Sequence, residues 1–590
     1  MSSRRPLLLV TATAHLDTQW RWTVRDTIRD FLPRTLRENF ALFRSHPGYV
    51  LSFEGAFRYM LVREYYPEAW EELRRWCREG RWAPVGAMLD APDVNVVSPE
   101  SLVRQILYGQ RFFARQLGVE SRDVFLPDCF GFGRALPSVA AHCGLGSFST
   151  SKLIKWKAPD EIPFDVGRWR GPDGAEILAV LRPGGYGEGI DGNLSRSRTW
   201  LRRLEAIGRT CGVAVGMRYV GTGDRGGSPD RQSLDRLERA SAADGPVEVR
   251  CAPSHAIREE LTEEALARLP VHDSEILLPT HGTGCWTSQA ALKRWNRRNE
   301  LLAAAAERAA VAADWLGEID YPGSRLRQGW LRFLWHQMHD DLTGTAIPAA
   351  YDITWNDQAV AANLLAGVLV DSLGAVSRRL DTTSETGLPL LVYNPTSHAR
   401  EDVVEAVLER SSLPPGELVV TSPEGTTRPT QVEAAGASRV RVLFLAAVEP
   451  ISFSVFELGA VPAADGGAGI HPAAPTVSTG QLENERYRVT VDRHGDVASV
   501  FDKRLGRELL SGPLGLELLR DRSHRWPAWE IRPETILDGG ARSVEGEAAV
   551  AVVESGPVRV GLEIRRRFAG SRLKQTLRLA AGGAGERLEI

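Results

Sequence analysis

A histidine and an aspartate follow the first apolar run of the chain at a spacing that suits a metal ion. His15 and Asp17 come directly after a strand predicted over residues 6–13. In an extended chain, residues i and i+2 point to the same face, so an imidazole nitrogen and a carboxylate oxygen can meet one cation. The pattern also arises by chance, and a purely structural role for the pair stays open.

Two further motifs carry groups of the same chemical type. Asp128 follows a strand predicted over residues 123–127, at the end of the strand where open parallel sheets bind ligands. His339 precedes Asp340 and Asp341 at the end of a predicted helix. Two carboxylates at this end interact unfavourably with the helix dipole, and a nearby cation can compensate their negative charge. The alternatives are a turn or helix cap for Asp128 and an ordinary charged helix terminus for His339.

A glycine-rich segment, residues 221–227, contains a single carboxylate, Asp224. No Lys-Ser/Thr pair follows it, and its glycine spacing differs from that of a dinucleotide fingerprint, so phosphate binding is disfavoured. An exposed carboxylate on such a loop suits a general acid or base, and a plain turn is the alternative.

The elements around these motifs change in type along the chain. Residues 1–265 alternate short apolar runs with helical patterns, which is typical of a mostly parallel sheet covered by helices. Residues 266–380 contain three long helical patterns, over 290–316, 325–341 and 357–380, and predict a helical bundle. Residues 381–389 form a polar linker, and residues 390–590 are rich in strand patterns separated by Gly/Pro turns. We therefore predict an α/β domain, an all-α domain and an all-β region, in that order.

Composition excludes several classes of protein. The 590 residues are 43% hydrophobic and 25% charged with a net charge of −3, so nothing favours nucleic acid or an anionic membrane as the main partner. The six cysteines lack C-x-x-C spacing, which argues against a cysteine zinc site. The most apolar long segment, 359–376, is interrupted by Asn363 and Asp371 and predicts a buried amphipathic helix rather than a membrane span. We interpret the N-terminal apolar run as a first strand and not a signal peptide, and expect a cytoplasmic protein.

Taken in order, these motifs resemble those of glycoside hydrolase family 38, the α-mannosidases. The resemblance covers essentially the whole chain and lies in residues 15–20, 80–86, 101–113, 126–131, 287–290 with Lys293 and Arg294, His339-Asp340, and Asn394-Pro395. It implies an α/β catalytic domain of the seven-stranded β/α-barrel-like type, a three-helix bundle and a β-sandwich.

The resemblance also implies a chemistry and a substrate class. It implies one Zn²⁺ per chain, held by His15, Asp17, Asp128 and His339, and it makes Asp128 the nucleophile. Such an enzyme is a retaining exo-α-mannosidase that forms a covalent mannosyl-aspartate intermediate on terminal α-mannosides, either oligosaccharides or small mannosyl glycosides. The resemblance leaves open whether the protein forms a homo-oligomer.

A retaining glycosidase needs a second carboxyl group, and Asp224 is the candidate acid/base. Some family members carry two consecutive aspartates at this point, whereas here Arg225 follows, and its guanidinium is expected to lower the Asp224 pKa. By the same resemblance, Trp20 is the sugar platform, Lys152 contacts the site, and Asp340 bonds substrate hydroxyls or orients a zinc ligand.

The chain departs from its bacterial relatives in residues 90–95 and 281–286, and we expect both changes to alter the substrate pocket. A metal-dependent carbohydrate deacetylase and a non-catalytic carbohydrate-binding protein are the alternative functions. Relatives usually continue beyond the length of this chain, which stops within an apparent strand. We therefore expect a truncated β region with an unpaired edge near Leu588.

Overall fold

The computed structural model describes residues 5–384, 387–461, 473–523, 525–538 and 540–590. Contacts divide the chain into two compact units. The first comprises the residues up to Ala303, Gly323–Ala366 and Asp521–Pro533; the second comprises Ala304–Pro322, Gly367–Arg520 and Glu534–Ile590. Of the predicted linker 381–389, Glu385 and Thr386 lie outside the described residues, and a strand begins at Leu388.

Ten strands within the described residues build two five-stranded sheets in the first unit. They are β1 (Leu7–Ala14), β2 (Leu51–Glu54), β3 (Trp82–Val85), β4 (Asp123–Phe125), β5 (Ser147–Ser149), β6 (Val166–Arg170), β7 (Glu176–Val180), β8 (Val215–Thr222), β9 (Glu248–Cys251) and β10 (Val271–His272). One sheet has the order β3-β2-β1-β8, with β9 also pairing with β1, and the other has the order β10-β6-β7-β5-β4.

Seven of these strands form two parallel series, β3-β2-β1-β8 and β7-β5-β4. Hydrogen bonds join the series at both ends, because the Tyr219 amide donates to the Pro183 carbonyl (2.8 Å) and the Gly86 amide donates to Asp123 Oδ1 (3.0 Å). All eight residues of β1 are buried, as expected for a central parallel strand. The predicted parallel, barrel-like α/β architecture is confirmed.

Helices surround these strands, and their ends follow local sequence signals. The helical segments are Val24–Asp26, continued by a π-helical turn Thr27–Phe31 and Leu32–Ser45, then Ala56–Tyr65, Pro67–Arg78, Pro99–Phe112, Ala135–His142, Leu153–Trp156, Arg198–Cys211, Arg231–Ala242, Ala256–Glu259 and Glu263–Arg268. Ser98 caps the helix that starts at Pro99, since its side chain accepts a hydrogen bond from the Ser101 amide. That helix continues as a π-helical turn to Leu117 and ends at Gly118, whose φ of +73° suits glycine.

Three long helical segments follow, at Ala290–Trp315, Gly323–Leu334 and Tyr351–Ser377. The second is shorter than predicted, because only a 3-10 turn, Trp335–Gln337, follows Leu334, so His339 lies beyond the helix. The third, extended to Pro348–Ser377, is the one described helix long and apolar enough to cross a membrane, a test that core helices also meet.

The second unit is built from antiparallel sheets. Their strands are Leu388–Asn394, Ser452–Val461, Glu417–Thr421 and Thr427–Arg428; Arg400–Glu409, Arg439–Val448 and Thr430–Ala434; Thr476–Ser478, Gln481–Glu483, Tyr487–Val491, Val497–Asp502 and Arg507–Glu508; Glu517–Leu518 with Arg542–Ser543; and Ala549–Glu554, Arg559–Phe568 and Ser571–Ala580. The first two sheets share one buried core that includes Val442 and Phe456, and the third and last share another that includes Val489 and Leu562. The predicted β-sandwich architecture is confirmed.

The last residues of the chain are hydrogen-bonded to this unit. The backbones of Arg578 and Glu589 exchange two hydrogen bonds, of 2.9 and 3.1 Å, and Leu588 packs against the neighbouring core. The predicted unpaired edge near Leu588 is therefore wrong, because Glu589 pairs with Arg578 of the strand Ser571–Ala580.

Candidate metal and carbohydrate site

The strands of the first unit bring the sequence-predicted residues to one place. His15 and Asp17 follow β1, Asp128 follows β4, and Asp224 follows β8. His339 reaches the same place from the turn after helix Gly323–Leu334, where its amide donates to the Ala91 carbonyl (3.0 Å). The carboxyl ends of parallel strands thus converge with one loop of the helical region.

Four of these side chains form a buried cluster. Asp17 Oδ1 lies 3.0 Å from His15 Nε2 and 3.2 Å from His339 Nε2, and Asp128 Oδ2 lies 3.8 Å from the same His339 nitrogen. His15 Nε2, Asp17 Oδ1 and His339 Nε2 are buried and have no hydrogen-bond partner in the part of the chain that the structure describes. Buried polar atoms rarely stay unpartnered, so nitrogen and oxygen atoms converging in this way fit a metal ion.

A second layer of groups orients the two histidines. His15 Nδ1 lies 2.5 Å from Glu54 Oε1, and His339 Nδ1 lies 3.1 Å from the Ala91 carbonyl oxygen. Both contacts favour a proton on Nδ1 and leave Nε2 free to bind a metal. Sequence reasoning missed Glu54, although its position at the end of β2 follows the same strand-end rule as His15 and Asp128.

The charges in the cluster compensate one another. Burial alone lowers the pKa of His15, but Asp17 and Glu54 outweigh it and raise this pKa to about 10. The pKa of Asp17 is lowered, because its attraction to His15 and His339 outweighs the cost of burial. Protons on the imidazoles thus balance the buried carboxylates, and a metal cation can replace that positive charge.

Asp128 is held ionised at the edge of the cluster. Burial tends to raise its pKa, but the positive charges of Lys152, His15 and His339 lower it overall. The Lys152 ammonium lies 2.5 Å from Asp128 Oδ1. An ionised carboxylate in this position can act as a nucleophile or a metal ligand.

Asp224 has the opposite protonation tendency. Burial and the negative charges of Asp17 and Asp128 raise its pKa. Arg225 does not reverse this effect, because its guanidinium lies over the Trp22 ring, 5.4 Å from the centroid. The expectation that Arg225 lowers the Asp224 pKa is therefore wrong, and Asp224 can hold a proton for transfer.

Backbone hydrogen bonds hold Asp224 beside the cluster. Its φ of +65° lies in the left-handed region, which aspartate tolerates better than most residues. The Asp17 amide donates to the Asp224 carbonyl (2.9 Å), and the Gly226 amide donates to the His15 carbonyl (3.0 Å). The Tyr186 hydroxyl donates to Asp224 Oδ1 (2.8 Å), a contact that sequence reasoning missed because Tyr186 comes from the loop after β7.

A cavity of about 100 Å³ opens onto these groups. Its lining residues are Trp20, Asp128, Phe130, Lys152, Lys155, Trp156, Tyr186, Asp224, His281, Asp340, Trp526 and Trp529. Five of the sequence-predicted residues line it, whereas His15, Asp17 and His339 are almost completely buried beside it. Asp340 accepts a hydrogen bond from Thr345 Oγ1 (2.7 Å), and burial with the charge of Asp17 raises its pKa.

Part of the cavity wall comes from a distant part of the chain. The segment Asp521–Pro533 belongs to the first unit although strands of the second unit flank it in sequence. The amides of Gly282 and Gly284 both donate to the Trp529 carbonyl (2.9 Å each), which ties this segment to residues 281–286. Sequence reasoning missed Trp526 and Trp529, and the only signal was a Trp-Pro-Ala-Trp motif within a region rich in strands.

Sequence profiles of one family match most of the chain. The profile described as Glycosyl hydrolases family 38 N-terminal domain matches residues 7–275, the Alpha mannosidase middle domain matches 281–374, and the Glycosyl hydrolases family 38 C-terminal domain matches 482–590.

Individual relatives agree with these profiles. Alpha-mannosidase 2C1 of Homo sapiens is 30% identical to this chain, in an alignment that covers 57% of this chain and 32% of that protein. Alpha-mannosidase G of Dictyostelium discoideum is 25% identical, in an alignment that covers 93% of this chain and 51% of that protein. The crystal structure of an alpha-mannosidase from Enterococcus faecalis V583 has a TM-score of 0.75 at 17% identity, covering 98% of this chain and 72% of that one. The chain spans a third to a half of these curated relatives, and the structural likeness concerns the fold.

Proposed function

The chain belongs to glycoside hydrolase family 38, and we propose that it is a zinc-dependent retaining exo-α-mannosidase. The observation that carries the proposal is the pair of carboxyl groups with opposite protonation tendencies beside three unpartnered buried ligand atoms. A retaining glycosidase requires one ionised and one protonated carboxyl group on the same sugar.

We assign the nucleophile and the acid to these two groups. Asp128, kept ionised by Lys152, attacks the anomeric carbon and forms a mannosyl-aspartate ester. Asp224 transfers its proton to the leaving oxygen and later takes a proton from the attacking water. Trp20 lines the cavity as the platform for the sugar ring, and Asp340 is available to its hydroxyls.

His15, Asp17, Asp128 and His339 would hold the zinc ion. When bound, zinc supplies an electrophile that can accept two adjacent sugar hydroxyls. The nitrogen and oxygen donor set favours zinc over calcium or magnesium, which prefer oxygen ligands alone. The small size of the cavity, about 100 Å³, favours one terminal mannose residue of an oligosaccharide or a small mannosyl glycoside. The free thiol form of all six cysteines suits the reducing cytoplasm, which we propose as the location.

The proposal is tested with 4-nitrophenyl α-mannoside, before and after removal of metal by a chelator and after return of zinc. Chelation is expected to abolish hydrolysis, zinc to restore it, and NMR to detect α-mannose as the first product. Asp128→Ala is expected to lose activity, whereas Asp191→Ala, which changes an exposed aspartate, retains it. Hydrolysis that survives both chelation and Asp128→Ala contradicts the proposal, and release of acetate from acetylated sugars favours a deacetylase instead.

The role of Asp224 has a separate test. Asp224→Ala is expected to retain kcat/KM, which reports formation of the mannosyl-aspartate ester, for 2,4-dinitrophenyl α-mannoside, whose leaving group needs no proton, while kcat/KM for the 4-methylumbelliferyl substrate falls. The kcat of both substrates should fall, because the second step also uses Asp224. Equal losses of kcat/KM for both substrates contradict the assignment of Asp224 as the acid.

A further inference from the structure

A buried side-chain contact joins the two segments that supply the candidate metal ligands. His15 and Asp17 follow β1, whereas His339 comes from the helical region. Gln19 lies two residues after Asp17, and Asp341 lies two residues after His339. Gln19 Nε2 donates a hydrogen bond to Asp341 Oδ2 (2.8 Å). The two segments are therefore tied together immediately beside the ligands that they carry.

The Asp341 carboxylate is completely buried, and both of its oxygens are bonded. Its Oδ2 also lies 2.6 Å from His336 Nδ1, and its Oδ1 accepts a hydrogen bond from Thr354 Oγ1 (2.8 Å). Gln19 Nε2 also donates to Thr354 Oγ1 (3.1 Å). Three side chains thus fix the orientation of the carboxylate, and a buried network with its acceptors satisfied in this way is rigid.

His336 supplies the positive charge that balances Asp341. The other ring nitrogen of His336, Nε2, lies 3.4 Å from Asp357 Oδ2, so both nitrogens face carboxylates. Burial tends to lower the pKa of His336, but Asp341 and Asp357 raise it overall. Asp357 also accepts a hydrogen bond from Arg332 (2.8 Å). The compensation that the sequence predicts for Asp341 thus comes from a neighbouring imidazole, and this carboxylate is free to serve as an anchor for Gln19.

Other contacts near His339 act in different places. Its amide donates to the Ala91 carbonyl (3.0 Å), and its Nδ1 lies 3.1 Å from the same oxygen, so both contacts relate His339 to a third segment. The Ile347 amide donates to the Trp20 carbonyl (2.8 Å), but Ile347 lies eight residues beyond the ligand. The Gln19 contact lies nearer to His339 along the chain and is therefore better placed to fix this ligand relative to the two that follow β1.

We propose that Gln19, held by Asp341, is a positioning residue of the metal site, which sets the separation between His339 and the ligands that follow β1. The inference rests on the proposed function, because zinc is the ion for which these ligands are positioned. Tetrahedral zinc bonds of about 2.0–2.2 Å place neighbouring ligand atoms roughly 3.3 Å apart. Asp17 Oδ1 lies 3.2 Å from His339 Nε2, so the pair is close to that separation.

The test replaces Gln19 by methionine, which has a similar length but cannot donate a hydrogen bond. Both side chains are neutral, so a change in zinc affinity cannot arise from an altered charge near the site. Asp341 keeps its contacts with His336 and Thr354, so no unpartnered buried charge prevents folding. In competition with a chromogenic chelator, the zinc affinity of the variant is expected to fall about tenfold, the lower end of the range for residues that support metal ligands.

Cobalt(II) absorption provides a second measurement that does not depend on activity. Gln19→Met should alter the d–d bands of the cobalt-loaded protein, because the arrangement of the ligands determines them. Asn299→Leu is the matched control. Asn299 is also completely buried and donates to the carbonyl and the side chain of Gln358 (3.1 and 2.7 Å), but contacts no candidate ligand among the described residues. This variant should unfold more easily while its zinc affinity and cobalt spectrum stay unchanged.

A second variant approaches the same anchor from its other oxygen. Thr354→Val removes the hydroxyl that donates to Asp341 Oδ1 and preserves the shape of the side chain. It is expected to lower zinc affinity by more than about twofold, because the carboxylate that holds Gln19 is less firmly fixed. This variant keeps the proposal testable if Gln19→Met does not fold.

The positioning role and the proposed function fail separately. Zinc affinities within about twofold of the wild type for both Gln19→Met and Thr354→Val refute the positioning role and leave the proposed function standing. A loss for Asn299→Leu as large as that for Gln19→Met also refutes it, since the effect would then be a general loosening of the protein. If the wild-type protein binds no zinc, or if its zinc-loaded form hydrolyses no α-mannoside, the proposed function itself is refuted and the inference falls with it.

Discussion

Replacing Glu54 by glutamine should weaken zinc binding without disturbing the metal ligands directly. Glu54 is 1% exposed, and its Oε1 lies 2.5 Å from His15 Nδ1. Glutamine can still accept a hydrogen bond from Nδ1, so the variant removes the charge while the imidazole keeps its orientation. The lost negative charge makes His15 Nε2 a weaker donor to the metal.

The expected magnitude follows from this contact. A charge-assisted hydrogen bond contributes about 1.5–3 kcal/mol, compared with about 1 kcal/mol for a neutral one. Loss of a carboxylate that supports a metal-bound histidine typically reduces metal affinity by about 10–100-fold. We expect Glu54→Gln to fall within this range, and Glu54→Ala to fall further because it also removes the acceptor.

The assay is competition for zinc between the metal-free protein and a chromogenic chelator. Asp123→Asn is the matched control: Asp123 is also 1% exposed and accepts hydrogen bonds from the Gly86 amide and Ser254, but contacts no candidate ligand. Both variants should unfold more easily, whereas only Glu54→Gln should lose zinc affinity. A zinc affinity for Glu54→Gln within about twofold of the wild type refutes the reasoning, since the Glu54 charge would then give the metal-binding histidine no measurable support.

Three further predictions test other parts of the first unit. Gly109→Ala should destabilise the protein by about 1–3 kcal/mol in denaturant unfolding, because a Cβ would lie 2.3 Å from the Ala87 carbonyl oxygen; a gain in stability, as helix propensity alone predicts, contradicts that contact. Arg58→Lys should lower the free energy of unfolding by about 1.5–3 kcal/mol, since lysine keeps the charge but cannot keep both the 3.0 Å ion pair with Asp90 and the hydrogen bond to the Leu16 carbonyl; an unchanged melting curve contradicts this. Tyr186→Phe removes the hydroxyl that positions the proposed acid and should lower kcat/KM about tenfold for 4-methylumbelliferyl α-mannoside but not for the 2,4-dinitrophenyl substrate; equal effects on the two kcat/KM values exclude a positioning role.

The strand-end residues could be predicted because their signals are local. β1 begins with an apolar run and is buried throughout, and parallel strands present their following loops at one edge, so His15 and Asp128 could be expected to meet. The helix that starts at Pro99 could also be predicted, since a serine cap and a proline mark its start and a glycine marks its end.

Other site residues have weak local signals or none. Glu54 lies at the end of β2, Tyr186 lies in the loop after β7 and reaches Asp224 in the loop after β8, and Trp529 comes from a segment some 250 residues after His281. The boundary of helix Gly323–Leu334 was predicted too far along the chain, because the apolar periodicity continues through the 3-10 turn that carries the chain to His339.

The sequence by itself determined the types of element, their order and the residues able to bind a metal or carry a carboxylate. Only the tertiary structure decided the protonation tendencies of those carboxylates. Arg225 is next to Asp224 in sequence, yet its guanidinium packs on Trp22, whereas Asp17 and Asp128 lie close enough to raise the Asp224 pKa. The physical reason is that electrostatic free energies depend on distance and burial in space, which neighbours along the chain do not determine.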